Sequence, residues 1–109
     1  MFNHQIFLAM ANYATNLFFA STKNQEDLDR IEDFLNENFC DCYVSRDTCD
    51  NGLEAEFYSR WEYPESLIDE LIDSLEQRDE IYIRVLTYEL CTEYVSFRIF
   101  DKGEWDIRY

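Results

Sequence analysis

Four cysteines and one histidine are the residues whose types could hold a metal or attack a substrate: Cys40, Cys42, Cys49, Cys91 and His4. Four thiolates suffice for a tetrahedral zinc site, whose usual knuckle is Cys-x2-Cys. This chain has Cys-x-Cys followed by a third Cys seven positions on. Cys40 and Cys42 sit two apart, the spacing of neighbours on one strand face, where thiols pack as small hydrophobes. That packing role is the expectation, and no metal is assigned. His4 stands alone near the N-terminus, so a Ser-His-Asp or Cys-His nucleophile pair is not expected. The only glycines, Gly52 and Gly103, fall in turn signals, which leaves no Gly-rich phosphate loop. No D-x-D-x-D-G calcium loop is present. Carboxylate pairs could do acid–base work. With 24 Asp+Glu in 109 residues, however, a chance pair is expected almost anywhere. The residue inventory therefore argues against an enzyme and calls for no catalytic residue and no cofactor.

Those acids outnumber nine Lys+Arg and give a formal charge of −15. Binding a phosphate backbone needs clustered Lys and Arg, so direct nucleic-acid binding is excluded. Disorder is excluded too: 17% of residues are aromatic, and there is one Pro. At 109 residues and 47% hydrophobic content the chain is expected to form one domain around one core. No apolar run reaches the length of a spanning helix. No Lys or Arg precedes Lys23, so the basic start of a secretory signal is missing. A cytoplasmic location with free thiols is the expectation. Met10 offers a second start, which divides the chain into a tail or extension, 1–9, and a single domain, 10–109.

The elements that must position these residues follow from periodicity. Tyr13 to Ala20 reads as a first strand. Thr22-Lys23-Asn24-Gln25 has the T-x-x-Q form of a capping box. Leu28, Ile31, Leu35 and Phe39 then recur at helical spacing, flanked by Phe34. Phe39 to Ser45 reads as a second strand, and Asp50-Asn51-Gly52 as a hairpin turn. Leu53, Ala55, Phe57, Ser59 and Trp61 alternate inward on a third strand. Pro64 opens a second helix with the stripe Leu67, Ile68, Leu71, Ile72 and Leu75. Ile81 to Leu86 and Tyr94 to Phe100 read as two further strands. After the turn Asp101-Lys102-Gly103, Trp105, Ile107 and Tyr109 alternate on a last one. The order β-α-β-β-α-β plus a C-terminal hairpin predicts an α+β fold of the ferredoxin-like, split βαβ type. Both helices would cover one face of an antiparallel sheet.

Two short segments carry a resemblance. Met10-Ala11-Asn12-Tyr13-Ala14-Thr15-Asn16-Leu17 follows the pattern M-x-N-[WY]-x-x-N-x. Phe57-Tyr58-Ser59-Arg60-Trp61-Glu62-Tyr63-Pro64 follows aromatic-x-[ST]-x-W-x-x-P. In both the chain resembles the YubB-like ferredoxin-like family of small plasmid and phage proteins. The resemblance implies the ferredoxin-like fold and a mobile-element origin. It implies no activity.

The charge is uneven. Residues 22–39 and 62–80 together hold 14 acids and three bases, a net −11. If the two helices share one side of the sheet, their outer faces form one negative surface. Acids three or four apart on a helix are separated by roughly 4.5–6 Å of rise. That is comparable with the roughly 3.4 Å per nucleotide between phosphates of one DNA strand. Glu26, Asp29, Asp33, Asp69, Asp73 and Glu76 are accordingly the candidate phosphate stand-ins of a DNA mimic. Such a mimic would inhibit a host nucleic-acid-binding defence protein, a CRISPR effector or a restriction enzyme, as an anti-CRISPR or anti-restriction protein. The plainer alternative is a solvated helix face. Tyr58, Arg60, Tyr82, Arg84, Tyr94, Ser96 and Arg98 alternate opposite the expected core. A protein-interaction module of a plasmid or phage using this Tyr/Arg sheet face, Tyr58 and Tyr82 above all, is the second reading. A homodimer through that face is included in it.

Overall fold

The computed structural model describes residues 13–47 and 51–109. His4, Cys49, the tail 1–9, Met10 and Asp50 lie outside them. The described residues form an α+β fold, with two α-helices and one six-stranded antiparallel sheet. Strand β1, Tyr13–Ser21, is central, with β3, Gly52–Arg60, on one side and β4, Tyr82–Glu89, on the other. Strand β2, Tyr43–Asp47, flanks β3. Beyond β4 come β5, Tyr94–Asp101, and β6, Glu104–Ile107. The sheet order is β2-β3-β1-β4-β5-β6.

Helix α1, Gln25–Asn38, starts at Asn24, whose side chain accepts from the Asp27 N–H at 3.1 Å. The cap is therefore Asn24, not Thr22. Thr22 supports it one step back, its hydroxyl accepting from the Asn24 N–H. Leu28, Ile31 and Leu35 turn inward, as their 3.6-residue spacing requires. Helix α2, Glu65–Ser74, follows Pro64 at its N-cap, and the helix buries Ile68, Leu71 and Ile72. Both stripes join one core with Phe18, Ala20, Leu53, Ala55, Phe57, Ile83 and Val85 from one face of the sheet. Burying each large aliphatic or aromatic side chain contributes about 1.5–3 kcal/mol.

Asp27 ties the helices together. It is fully buried, and its two carboxylate oxygens accept from the backbone N–H groups of Glu76 and Gln77, each at 2.9 Å. One of the sequence's acidic-face residues is thus an internal clamp between the start of α1 and the end of α2.

Four local expectations are corrected. Strand β2 begins at Tyr43 rather than Phe39, because α1 runs to Asn38 and Phe39 then packs on Phe57, ring centroids 4.3 Å apart. The chain must turn before it can extend, and Asp41 takes φ 57° to do so. Cys40 is consequently exposed in a turn, and only Cys42 packs against the core. Trp61 leaves the inward alternation: it is 57% exposed with φ 71°. Strand β5 is inverted relative to expectation. Tyr94, Ser96 and Arg98 face the helices, while Val95, Phe97 and Ile99 lie on the open face. The cause is register, fixed where Glu89 pairs with Tyr94 across the four-residue turn. A shift of one residue exchanges the two faces of a strand.

Candidate functional site

The helix layer carries the six candidate phosphate stand-ins, and all six are exposed. Glu26, Asp29 and Asp33 of α1 line a groove of about 620 Å³ together with Glu37 and, from α2, Glu70. Asp69 and Asp73 lie on α2 outside this groove, and Glu76 follows its last turn. Burial and the neighbouring carboxylates Glu65 and Asp73 push the Asp69 carboxyl above its usual value. The layer is not uniformly negative. Arg46 rises from β2 to meet Asp29 at 2.8 Å and Glu32 at 3.0 Å, and Arg78 meets Asp73 at 3.3 Å. Arg98 reaches Glu65 at 3.0 Å and lies over the Tyr63 ring, 4.1 Å from its centroid. Arg30 of α1 lines the acidic groove itself, and further bases reach the layer from strands β2 and β5 and from the turn after α2.

The open sheet face is the second surface. Tyr58, Arg60, Tyr82 and Arg84 lie on it as expected. Tyr58 donates to Glu56 at 3.0 Å, and that carboxylate pushes its phenol pKa up. Tyr82 packs on Phe19, with centroids 6.2 Å apart. The two tyrosines are not brought together: Tyr58 pairs beside Thr15, and Tyr82 beside Ser21, near the other end of β1. Between them runs an apolar row that the sequence reading missed. Leu17, Leu86 and Phe97 are direct cross-strand neighbours, with Phe19 and Ile99 in the adjoining row. The available signal was Leu17-Phe18-Phe19 in β1, apolar without alternation, as in strands covered on both faces.

Beneath, a polar network crosses the core face. Asn16 is fully buried. Its Nδ2 donates to Ser59 Oγ at 2.9 Å and to the Phe57 carbonyl at 3.2 Å, and its Oδ1 accepts from Thr87 Oγ1 at 2.6 Å. Ser59 in turn donates to the Glu62 carbonyl at 2.6 Å. Near the edge of the sheet the Tyr63 ring is buried beside Trp105, and burial drives its phenol well above the ordinary range. A phenol so shifted is a neutral group at physiological pH, unsuited to act as a base. At the β4–β5 turn, Glu89 accepts from the Cys91 and Thr92 N–H groups and from the Thr92 hydroxyl, which hold its carboxyl below the usual range.

Comparison of the chain with protein-family models, curated proteins and solved structures gave no match. Among the described residues, no group of three or more His, Cys, Asp or Glu is arranged to hold a metal ion. No helix among them is long and apolar enough to cross a membrane.

Proposed function

We propose that this chain is a non-enzymatic binding protein whose acidic helix layer occupies a basic, nucleic-acid-binding surface of another protein. One observation carries the reading: Glu26, Asp29, Asp33, Asp69 and Asp73 on two helices that pack over the same sheet face, and Glu76 just after the second, are all exposed. Carboxylates held on a clamped pair of helices need no reordering on binding, which lowers the entropic cost of association. The field of a −15 chain would also speed encounter with a cationic groove. The pairing of Asp29 with Arg46 and of Asp73 with Arg78 concentrates the unneutralised charge on the other four residues. A host defence nuclease or effector, met in the cytoplasm, is the partner class this reading names.

We infer a ferredoxin-like fold extended by a C-terminal hairpin. The order β2-β3-β1-β4 supports it, since a split βαβ unit places its first strand between its third and fourth. The same fold accords with the resemblance to the YubB-like proteins and with the mobile-element origin it implies.

The test is inhibition of candidate nucleases and effectors by the wild type and by a variant carrying Glu26→Gln, Asp29→Asn, Asp33→Asn, Asp69→Asn, Asp73→Asn and Glu76→Gln. Inhibition that weakens with salt and disappears in the folded variant supports the reading. Equal inhibition by both proteins sinks it.

A further inference from the structure

The helices cover one face of the sheet and leave the other with an apolar centre and acidic margins. Two rows of cross-strand neighbours define it. One runs Tyr43, Glu56, Leu17, Leu86, Phe97, and the other Glu54, Phe19, Arg84, Ile99, Asp106. Leu17 is 41% exposed and Val95 48%, which is high for apolar residues of interior strands. The surface is concave here, with a cavity of about 500 Å³ over Leu17, Phe19, Leu86 and Phe97.

Acidic charge is arranged on both sides of this centre. Asp47, Glu54 and Glu56 stand on β2 and β3, on one side. Asp101, Glu104 and Asp106 stand on β5 and β6, on the other. All six are exposed. Arg108 engages Asp106 at 2.7 Å at the outer edge. Arg84 is the base in the middle, and its guanidinium lies over the Phe19 ring, 4.3 Å from the centroid. Glu54 and Asp106, the two acids of one row, stand four strand spacings apart, about 19 Å. An α-helix with its side chains is about 10–12 Å across. A helix lying in the trough therefore leaves a few ångströms on each side. Lysine and arginine stems bridge such a gap while keeping their charged ends in water.

We propose that the open sheet face is a docking site for a basic amphipathic helix of another protein, with an apolar stripe on Leu17, Leu86 and Phe97 and Lys or Arg on both flanks meeting the acidic margins. Two other occupants fit less well. A second copy would bring its own acidic margins and a charge of −15 against the same charge. Residues 1–12 contain no Lys or Arg and cannot answer those margins. This surface is separate from the helix layer, so either assignment stands or falls without the other.

The probes are two synthetic helices of about 18 residues, long enough for five turns. They share one leucine stripe and carry either Lys or Glu on its flanks. Each is titrated by calorimetry into the full chain, into a Leu17→Asn/Leu86→Asn variant, into a Glu54→Gln/Asp106→Asn variant and into the helix-layer variant above. Circular dichroism verifies that each is folded. The Lys-flanked helix is expected to bind the wild type and the helix-layer variant equally. It should lose at least about tenfold in affinity with Leu17→Asn/Leu86→Asn and several-fold with Glu54→Gln/Asp106→Asn. No binding, equal binding of the Glu-flanked helix, or loss only in the helix-layer variant overturns the proposal. So does a dimer by light scattering that Leu17→Asn/Leu86→Asn dissolves, which puts a second copy on the face. Binding that appears only after residues 1–12 are removed overturns it as well, by making that segment the occupant.

Discussion

Asn16 Nδ2 lies 2.9 Å from Ser59 Oγ, so the asparagine of one short sequence pattern and the serine of the other meet inside the molecule. Asn16 is the second asparagine of the first pattern, and Ser59 is the hydroxyl position of the second. With Thr87 they join β1, β3 and β4 by side-chain bonds across the backbone ladder. A buried amide must have its partners or cost the fold free energy. The spacing in those patterns therefore has a structural explanation that requires no ligand.

Asn16→Ala is expected to destabilise the protein by about 2–3 kcal/mol, because it strips partners from the Thr87 hydroxyl and the Phe57 carbonyl together. Urea melts of Asn16→Ala, Ser59→Ala and the double variant measure the coupling. Because the groups share one network, the single losses should exceed the double loss by about 0.5 kcal/mol or more. Strict additivity would contradict the network.

Asp27→Ala should cost about 2–4 kcal/mol, since two backbone N–H groups, of Glu76 and Gln77, lose their acceptors. Asp27→Asn keeps one carbonyl acceptor and should fall between Asp27→Ala and wild type. Amide exchange should accelerate at Glu76 and Gln77 in both variants. Unchanged protection there would mean that Asp27 does not clamp the helices.

Two acids should respond oppositely to pH. Glu89 is held below its ordinary value near 4.5 by the Thr92 hydroxyl and the Cys91 and Thr92 N–H groups. It therefore stabilises the fold above that value, and the contribution is lost as pH falls through the lower folded value. Asp69 is raised above 3.8 by burial and by Glu65 and Asp73. Its contribution is present at pH below 3.8 and disappears as pH rises through the higher folded value. Chemical melts from pH 3 to 7 should show Glu89→Gln flattening the acid-side loss of stability and Asp69→Asn improving stability at pH 7.

Trp61→Gly is expected to stabilise the protein by about 0.5–1 kcal/mol. A side chain at φ 71° carries a steric penalty that glycine avoids, against which stand glycine's entropy and the Arg60 contact at 5.4 Å. A lower urea midpoint for this variant would mean that the exposed indole makes up for its own backbone conformation.

What was legible in the sequence was periodic. Leu28, Ile31 and Leu35 on one helix, Ile68, Leu71 and Ile72 on the other, and Leu53, Ala55 and Phe57 on β3 all turn inward as their spacing demands. Exposure of the six helix-layer acids was readable on the same basis. Strand β5 was not, because its apolar side is the open side. Pattern alone assigns Val95, Phe97 and Ile99 to the core, whereas Arg98 reaches over Tyr63 to Glu65 and occupies the covered side. Asp27 was hidden among similar acids, since only the arrival of Glu76 and Gln77 from 49 and 50 residues away distinguishes it. The apolar trough escaped for the same reason as β5: it exists only once register has been set.

The central position of β1 has a kinetic consequence. Its neighbours on one side, Tyr82 to Tyr88, are the partners of Ser21 back to Thr15, so the first strand made is among the last to be completed. Contacts that distant close slowly, because loop entropy is lost before the pairing compensates it. A nascent chain that has not yet reached Thr87 holds Asn16 without a partner for its Oδ1 and β1 with a bare edge. Folding should therefore be one late, cooperative event, on the millisecond-or-slower scale of non-local β topologies. During synthesis the exposed Leu17-Phe18-Phe19 segment would be the point at which a chaperone is most needed.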